Sequence, residues 1–447
     1  MSWKATLLYL VVFFPILGRS FFPMVRNTNS ITFQSSLTDP QMLGVYVLWA
    51  YCFWILLRNP HSLKLAFAKP FWPLTLFTLV AVLSAVTVSR TPMYSLWRSV
   101  ETCGVLLWGL LVFAQTTEDR NPGRLFTSFY AMSALMLLGV VVAVIIDPRH
   151  AWMHEGNRVE RLDVTSTFLM GANTIGVIAA LLCLAALSRF IVLAKVQYLI
   201  GSCACLVLCY AARSRTGFIV FILGVCVLVG VFARMPNRRV IAGIVALLSG
   251  ILTVGLFVVS PEFTDAVAST FTRGHSEANI RSLDGRMSIW VEAWEAFEQS
   301  PLLGSGYATY PMQLTAGSHF HNMFIELAVT TGLLGLAPIL ILFLLLSTRL
   351  VTLFRKAPAS AGAHSIVSTD ALLIGTVVIV SEITTAGAAY YSWQMIGVVA
   401  LSVGLYSTLD AADEAEAHSQ ENRTAQMMAH LQDGLLVSEP CRKPIIF

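Results

Sequence analysis

Two short stretches hold residues that could do chemistry. The first is Ala211-Ala212-Arg213-Ser214-Arg215-Thr216-Gly217, in which two arginines are separated by one serine between two apolar runs. Guanidinium groups at the end of a hydrophobic span are costly to hold near hydrocarbon. A phosphate offsets that cost, because the planar guanidinium grips its oxygens in a two-pronged fork; lipid headgroups would serve the same arginines. The second is His319-Phe320-His321-Asn322, at the mouth of a long apolar run. A histidine there is a candidate general base, since imidazole titrates near neutral pH. Asn322 could orient the imidazole or a substrate hydroxyl. Glu326, one helical turn on, is the next candidate base, and Glu382, inside a later apolar run, is a costly acid that needs a partner.

Between these stretches lies Ser282-Leu-Asp-Gly-Arg-Met-Ser-Ile-Trp-Val-Glu-Ala-Trp-Glu-Ala-Phe-Glu-Gln-Ser-Pro301. Asp284 or Ser282 can cap a helix that starts near Gly285, and Ser300-Pro301 ends it. Met287, Trp290, Val291, Trp294 and Phe297 recur at helical spacing, with Glu292, Glu295 and Glu298 largely off that face. This predicts an amphipathic helix packed against other helices. Arg286 falls in its first turn, where a cation is disfavoured by the helix dipole unless an anion binds both. The following Gly304-Ser-Gly306 predicts a tight turn, with too few glycines for a dinucleotide fingerprint.

The elements that must position these groups follow from composition. Of the 447 residues, 56% are hydrophobic and 12% charged, and mean hydropathy is +0.72. Soluble domains carry about 25% charged residues, so a water-soluble enzyme, a secreted domain and a disordered chain are excluded. A net charge of +4 is too small to suggest nucleic acid. Apolar runs at 5–19, 41–57, 71–88, 101–115, 125–146, 168–187, 190–212, 217–233, 240–260, 325–347, 370–386 and 389–408 suit helices of about 20 residues across a bilayer. The expectation is an all-α polytopic membrane protein of about twelve spans, with the first run retained as a helix. Seven of the eight cysteines lie in apolar runs and read as buried hydrophobes.

Loop charge sets the orientation. With both termini cytoplasmic, all six lysines fall inside, together with Arg58, Arg120, Arg124, Arg189 and Arg234. The outer side keeps only arginines, among them Arg90, Arg98, Arg158, Arg161, Arg213, Arg215 and Arg286. An outer face that uses arginine alone suggests a phosphate-bearing ligand. The long segment 261–321 is then a large outer loop, where function is expected to concentrate. Residues 1–409 form the membrane domain and 410–447 a polar cytoplasmic tail. There is no Asp-x-Asp, P-loop, Gly-x-Ser-x-Gly or His/Cys metal spacing, so no metal or cofactor is expected. A reaction on that side must use an activated lipid, and a lipid-linked sugar diphosphate fits, its leaving group carrying the charge the arginines would stabilise.

The stretch GRMSIWVEAWEAFEQSPLLGSGYATY followed by HFHNMFIELAVTTGLLGLAPI, with SRTG upstream, resembles the signature region of the O-antigen ligase and O-antigen polymerase superfamily. The resemblance implies a metal-independent glycosyltransferase of the bacterial inner membrane, acting at its periplasmic face on undecaprenyl-diphosphate-linked glycan. It implies that Arg215 (with Arg213) and Arg286 bind the diphosphate and that His321 is the base. The neighbouring His319 leaves open which imidazole acts. Arg158 and Arg161 are further candidate contacts, with Asn322 and Glu326. A ligase would transfer the glycan with inversion to a hydroxyl of lipid A–core oligosaccharide; a polymerase would transfer it to another lipid-linked repeat. The layout favours the ligase. A lipid-linked sugar transporter is the reading from another class, although no inverted repeat is evident.

Overall fold

The computed structural model describes residues 3–13, 40–58, 60–67, 70–119, 121–153, 161–164, 170–235, 286–309, 320–356, 363–384 and 392–409, with positions 424 and 428. The helices are α1 (Trp3–Val11), α2 (Pro40–Arg58), a 3₁₀ segment (Pro60–Phe67), α3 (Trp72–Thr87), α4 (Pro92–Asp119), α5 (Gly123–Ile146), α6 (Ala172–Leu193), α7 (Val196–Ala211), α8 (Arg215–Phe232), α9 (Arg286–Gln299), α10 (Met323–Lys356), α11 (Ala363–Thr384) and α12 (Trp393–Leu409). Six of them, α4, α5, α6, α8, α10 and most of α11, are long and apolar enough to cross a membrane, and four shorter helices are apolar. The chain is a helical, multi-pass membrane protein. The expected span at 240–260 lies outside the described residues.

Apolar side chains that a soluble protein would hide face outward here, among them Leu57, Leu79, Ile145, Ile200 and Leu344. Hydrocarbon is their solvent. Between the helices, contact depends on small residues. Gly176 of α6 lies against Gly217 of α8, where an added Cβ would meet the Gly176 carbonyl carbon at 2.8 Å. Indole N–H groups tie the layers by satisfying buried acceptors: Trp108 of α4 donates to Leu8 O (2.8 Å) and Trp393 of α12 to Ser133 Oγ of α5 (2.8 Å). In its packing, α6 contacts α7, α8 and α11, while α3 contacts α4 and α10; α10 also lies along α11 and joins the two groups.

Among the described residues one two-residue ladder, β1 (Trp152–Met153) antiparallel to β2 (Arg161–Leu162), interrupts the helices in the segment between α5 and α6. Two expectations need correction. Arg189 is no loop residue: α6 continues to Leu193, and the left-handed Ala194 (φ 54°) ends it. The extension is possible because Arg189 is neutralised, donating to both oxygens of Asp370 on α11 at 3.0 and 2.9 Å. The inward face of α9 also differs. Val291 and Trp294 are exposed, whereas Ala293 is buried with Phe320 and Val329, flanked by Ile289, Ala296 and Phe297. Small alanines let α9 sit close to α10, and Val291 and Trp294 turn outward.

A break in α10 is the feature the apolar pattern hides. At Gly332 the backbone takes φ 63°, ψ −165°, a region essentially confined to glycine. Two helical bonds are lost there, from Leu333 N–H to Val329 O and from Leu334 N–H to Thr330 O. The loop after α9 replaces all four groups: Leu333 N–H donates to Pro301 O (2.8 Å) and Leu334 N–H to Leu302 O (3.2 Å), while Val329 O accepts from Ser305 N–H (2.9 Å) and Thr330 O from Gly306 N–H (3.1 Å). Non-helical backbone at membrane depth is tolerated when protein satisfies it this way. Ser84 of α3 closes the exchange, its hydroxyl lying 2.8 Å from Leu303 O and 3.1 Å from Thr330 O. The expected turn at Gly304 and Gly306 is present, with φ 69° and 113°.

Candidate functional site

α7 ends at Ala211 and α8 begins at Arg215, so both arginines of the first stretch sit at a helix–helix corner. Arg213 turns the corner in a left-handed conformation (φ 46°), its N–H bonded to Tyr210 O (3.0 Å). A non-glycine residue held there stores backbone strain. Its Nη1 is buried and has no hydrogen-bond partner among the described residues. Ser214 caps α8 by accepting from Gly217 N–H (3.0 Å). Both arginines thus sit where unpaired N–H groups and the helix dipole favour an anion.

The second stretch forms an equivalent corner at the start of α10. Asn322 is the N-cap: its Oδ1 accepts from the N–H groups of Phe324 (2.9 Å) and Ile325 (3.1 Å). Its amide Nδ2 donates to Ile383 O of α11 (3.0 Å). One residue along α11, Thr384 Oγ1 accepts from Thr216 Oγ1 of α8 (3.1 Å). The chain of contacts Arg215–Thr216, Thr384–Ile383 and Asn322–His321 therefore brings the starts of α8 and α10 to one end of the bundle, beside the end of α11. His321 precedes the cap in a left-handed conformation (φ 55°) and is partly exposed. Glu326 and Glu382 are both completely buried, with Ser381 Oγ 3.5 Å from Glu382 Oε1.

α9 begins at Arg286 itself, as its expected place in the first turn requires. One turn on, Trp290 Nε1 donates to Phe320 O (3.0 Å), which fixes α9 beside the chain leading to His321. Arg161 lies on β2, which packs on α7, the helix leading into Arg213. Arg158 and His319 lie outside the described residues. Pattern reading missed the support behind the site. Tyr307 is completely buried; its carbonyl accepts from Ser95 Oγ (2.7 Å), and its phenol lies 2.8 Å from Thr102 Oγ1. Burial pushes that phenol above its ordinary range. No group of three or more His, Cys, Asp or Glu side chains that could hold a metal occurs among the described residues.

These features define a multi-pass helical membrane protein with an arginine-bearing site built from converging helix ends. Residues 200–340 match the family model described as O-antigen ligase. That matched region holds Arg213, Arg215, Arg286, His319, His321, Asn322 and Glu326. The chain is also 40% identical over 88 residues to the exopolysaccharide production protein ExoQ of Rhizobium meliloti (strain 1021). That match covers 16% of this chain and 19% of the relative's length.

Proposed function

We propose that this protein is an O-antigen ligase, transferring a glycan from undecaprenyl diphosphate to a hydroxyl of lipid A–core oligosaccharide at the periplasmic face of the bacterial inner membrane. The observation that carries the reading is the junction of Thr216, Thr384, Ile383 and Asn322, which sets an arginine-bearing helix start beside a histidine. In this reading about twelve spans place both termini and the tail from residue 410 in the cytoplasm, with 261–321 as the large periplasmic loop.

Arg215, Arg213 and Arg286 hold the diphosphate and stabilise the charge that develops as it leaves. His321 takes the proton of the acceptor hydroxyl, whose oxygen attacks the anomeric carbon opposite the diphosphate. The bond from that carbon to the diphosphate oxygen breaks with its electron pair, so the product is inverted. Arg158, Arg161, His319 and Asn322 are further proposed substrate contacts. No metal or cofactor enters.

The polymerase reading has one observation in its favour, the stretch shared with an exopolysaccharide production protein. Lipopolysaccharide from a deletion strain separates the two: bare core with accumulated lipid-linked polymer supports the ligase, and core bearing a single repeat unit supports the polymerase. Lipid-linked sugar crossing liposomes without any transfer product would support a transporter.

A further inference from the structure

The buried acids of the described bundle are matched by partners, with one exception. Glu101 accepts from Arg98 at 2.8 Å and Asp370 from Arg189 at 2.9 Å, and Glu382 has the Ser381 hydroxyl beside it. Glu326 is completely buried, and neither of its carboxylate oxygens has a hydrogen-bond partner among the described residues. A carboxyl so placed gives up its hydration with only the Phe320 backbone amide beside it. Such a group persists where it has a task.

Its position in the helix indicates the task. Asn322 is the N-cap of α10, bonded to the second and third residues of the helix. His321 therefore occupies the position before the cap, and Glu326 is the fourth helical residue. In capped helices these two positions face each other, and apolar side chains placed there staple the incoming chain to the first turn. Here the pair is an imidazole and a carboxyl. Glu326 does fold back toward the incoming chain, where its carboxyl lies alongside the Phe320 backbone amide, one residue from His321.

Resting on the assignment of His321 as the base, we propose that Glu326 is its positioning residue, accepting the N–H of the ring nitrogen that faces away from the acceptor hydroxyl. The carboxylate would select the tautomer whose other nitrogen is open for the proton, and would stabilise the imidazolium formed when the acceptor oxygen bonds to the anomeric carbon. Glu326 itself gains no proton and touches neither sugar nor diphosphate. A carboxylate that orients a catalytic imidazole does the same elsewhere.

The test uses the full-length protein in proteoliposomes, with undecaprenyl-diphosphate-linked glycan as donor and lipid A–core as acceptor. Glu326→Gln keeps the shape and removes the charge. It should lower kcat about 100-fold, with the donor KM and the unfolding midpoint unchanged. Glu326→Asp should recover part of the loss. In a His321→Ala background, Glu326→Gln should add nothing further, because residues acting as a unit are not additive. Parental kcat for Glu326→Gln, a loss confined to donor KM or to stability, or losses that multiply in the double variant would each overturn the inference and leave the His321 assignment intact. Full activity of His321→Ala would overturn that assignment and this inference with it.

Discussion

Gly332→Ala tests the docking of the loop into the broken helix. The added Cβ would lie 2.6 Å from Leu303 N and closer still to the Leu302 carbonyl. Both are backbone, which cannot swing aside as a flexible side chain would. Alanine also has to adopt φ 63°, ψ −165°, at a cost of about 1–3 kcal/mol. Displacing Pro301 and Leu302 removes the acceptors of Leu333 and Leu334, at about 1 kcal/mol for each bond. The sum is about 3–5 kcal/mol. Thermal unfolding in detergent, followed by tryptophan fluorescence, measures it. Gly201→Ala in α7 is the internal comparison, because its Cβ would meet nothing within 4 Å. That change should leave the midpoint level or raise it, by the helix-propensity gain of up to about 1 kcal/mol. A Gly332→Ala protein with the parental midpoint would refute the claim that the loop replaces the lost helical bonds.

Other outcomes follow from the same geometry. Asn322→Ala removes the cap of α10 and its tie to Ile383, and should cost about 1–2 kcal/mol in the same unfolding assay. Arg189→Ala leaves Asp370, whose side chain is 3% exposed, without its counter-ion; this should cost about 3–5 kcal/mol, and Arg189→Met with Asp370→Leu should restore most of it. Arg215→Ala should raise the KM for the lipid-linked donor more than Arg215→Lys does, since lysine keeps the charge and loses the fork. Chelator should leave the transfer rate unchanged, as measured by product formed with and without EDTA.

Composition sufficed for the membrane class because hydrocarbon imposes one backbone solution on every span. The corner at Arg213–Arg215 was legible for a related reason: two apolar runs meeting across two arginines leave no room for a loop. Arg189 was not legible as part of a buried pair, since its partner Asp370 is recognised only once the helices are packed. The break at Gly332 was hidden inside an uninterrupted apolar run, and only the loop bonded to it reveals why glycine is needed. The face of α9 was misread at Val291 and Trp294 because hydrophobic spacing ranks large residues first, whereas close packing on α10 selects Ala293 and Ala296. The Asn322 cap and its tie to α11 needed the fold, since the tie joins residues 61 positions apart.

The central claim is transfer of a glycan from a lipid diphosphate at the site formed by Arg215 and His321. The most direct measurement is transfer by purified protein in proteoliposomes with undecaprenyl-diphosphate-linked glycan and lipid A–core, alongside folded Arg215→Ala and His321→Ala variants. The account predicts glycosylated lipid A–core and released undecaprenyl diphosphate with the parent, a trace of either with His321→Ala, and product from Arg215→Ala only at raised donor concentration. No product from the folded parent, or full transfer by His321→Ala, would contradict it.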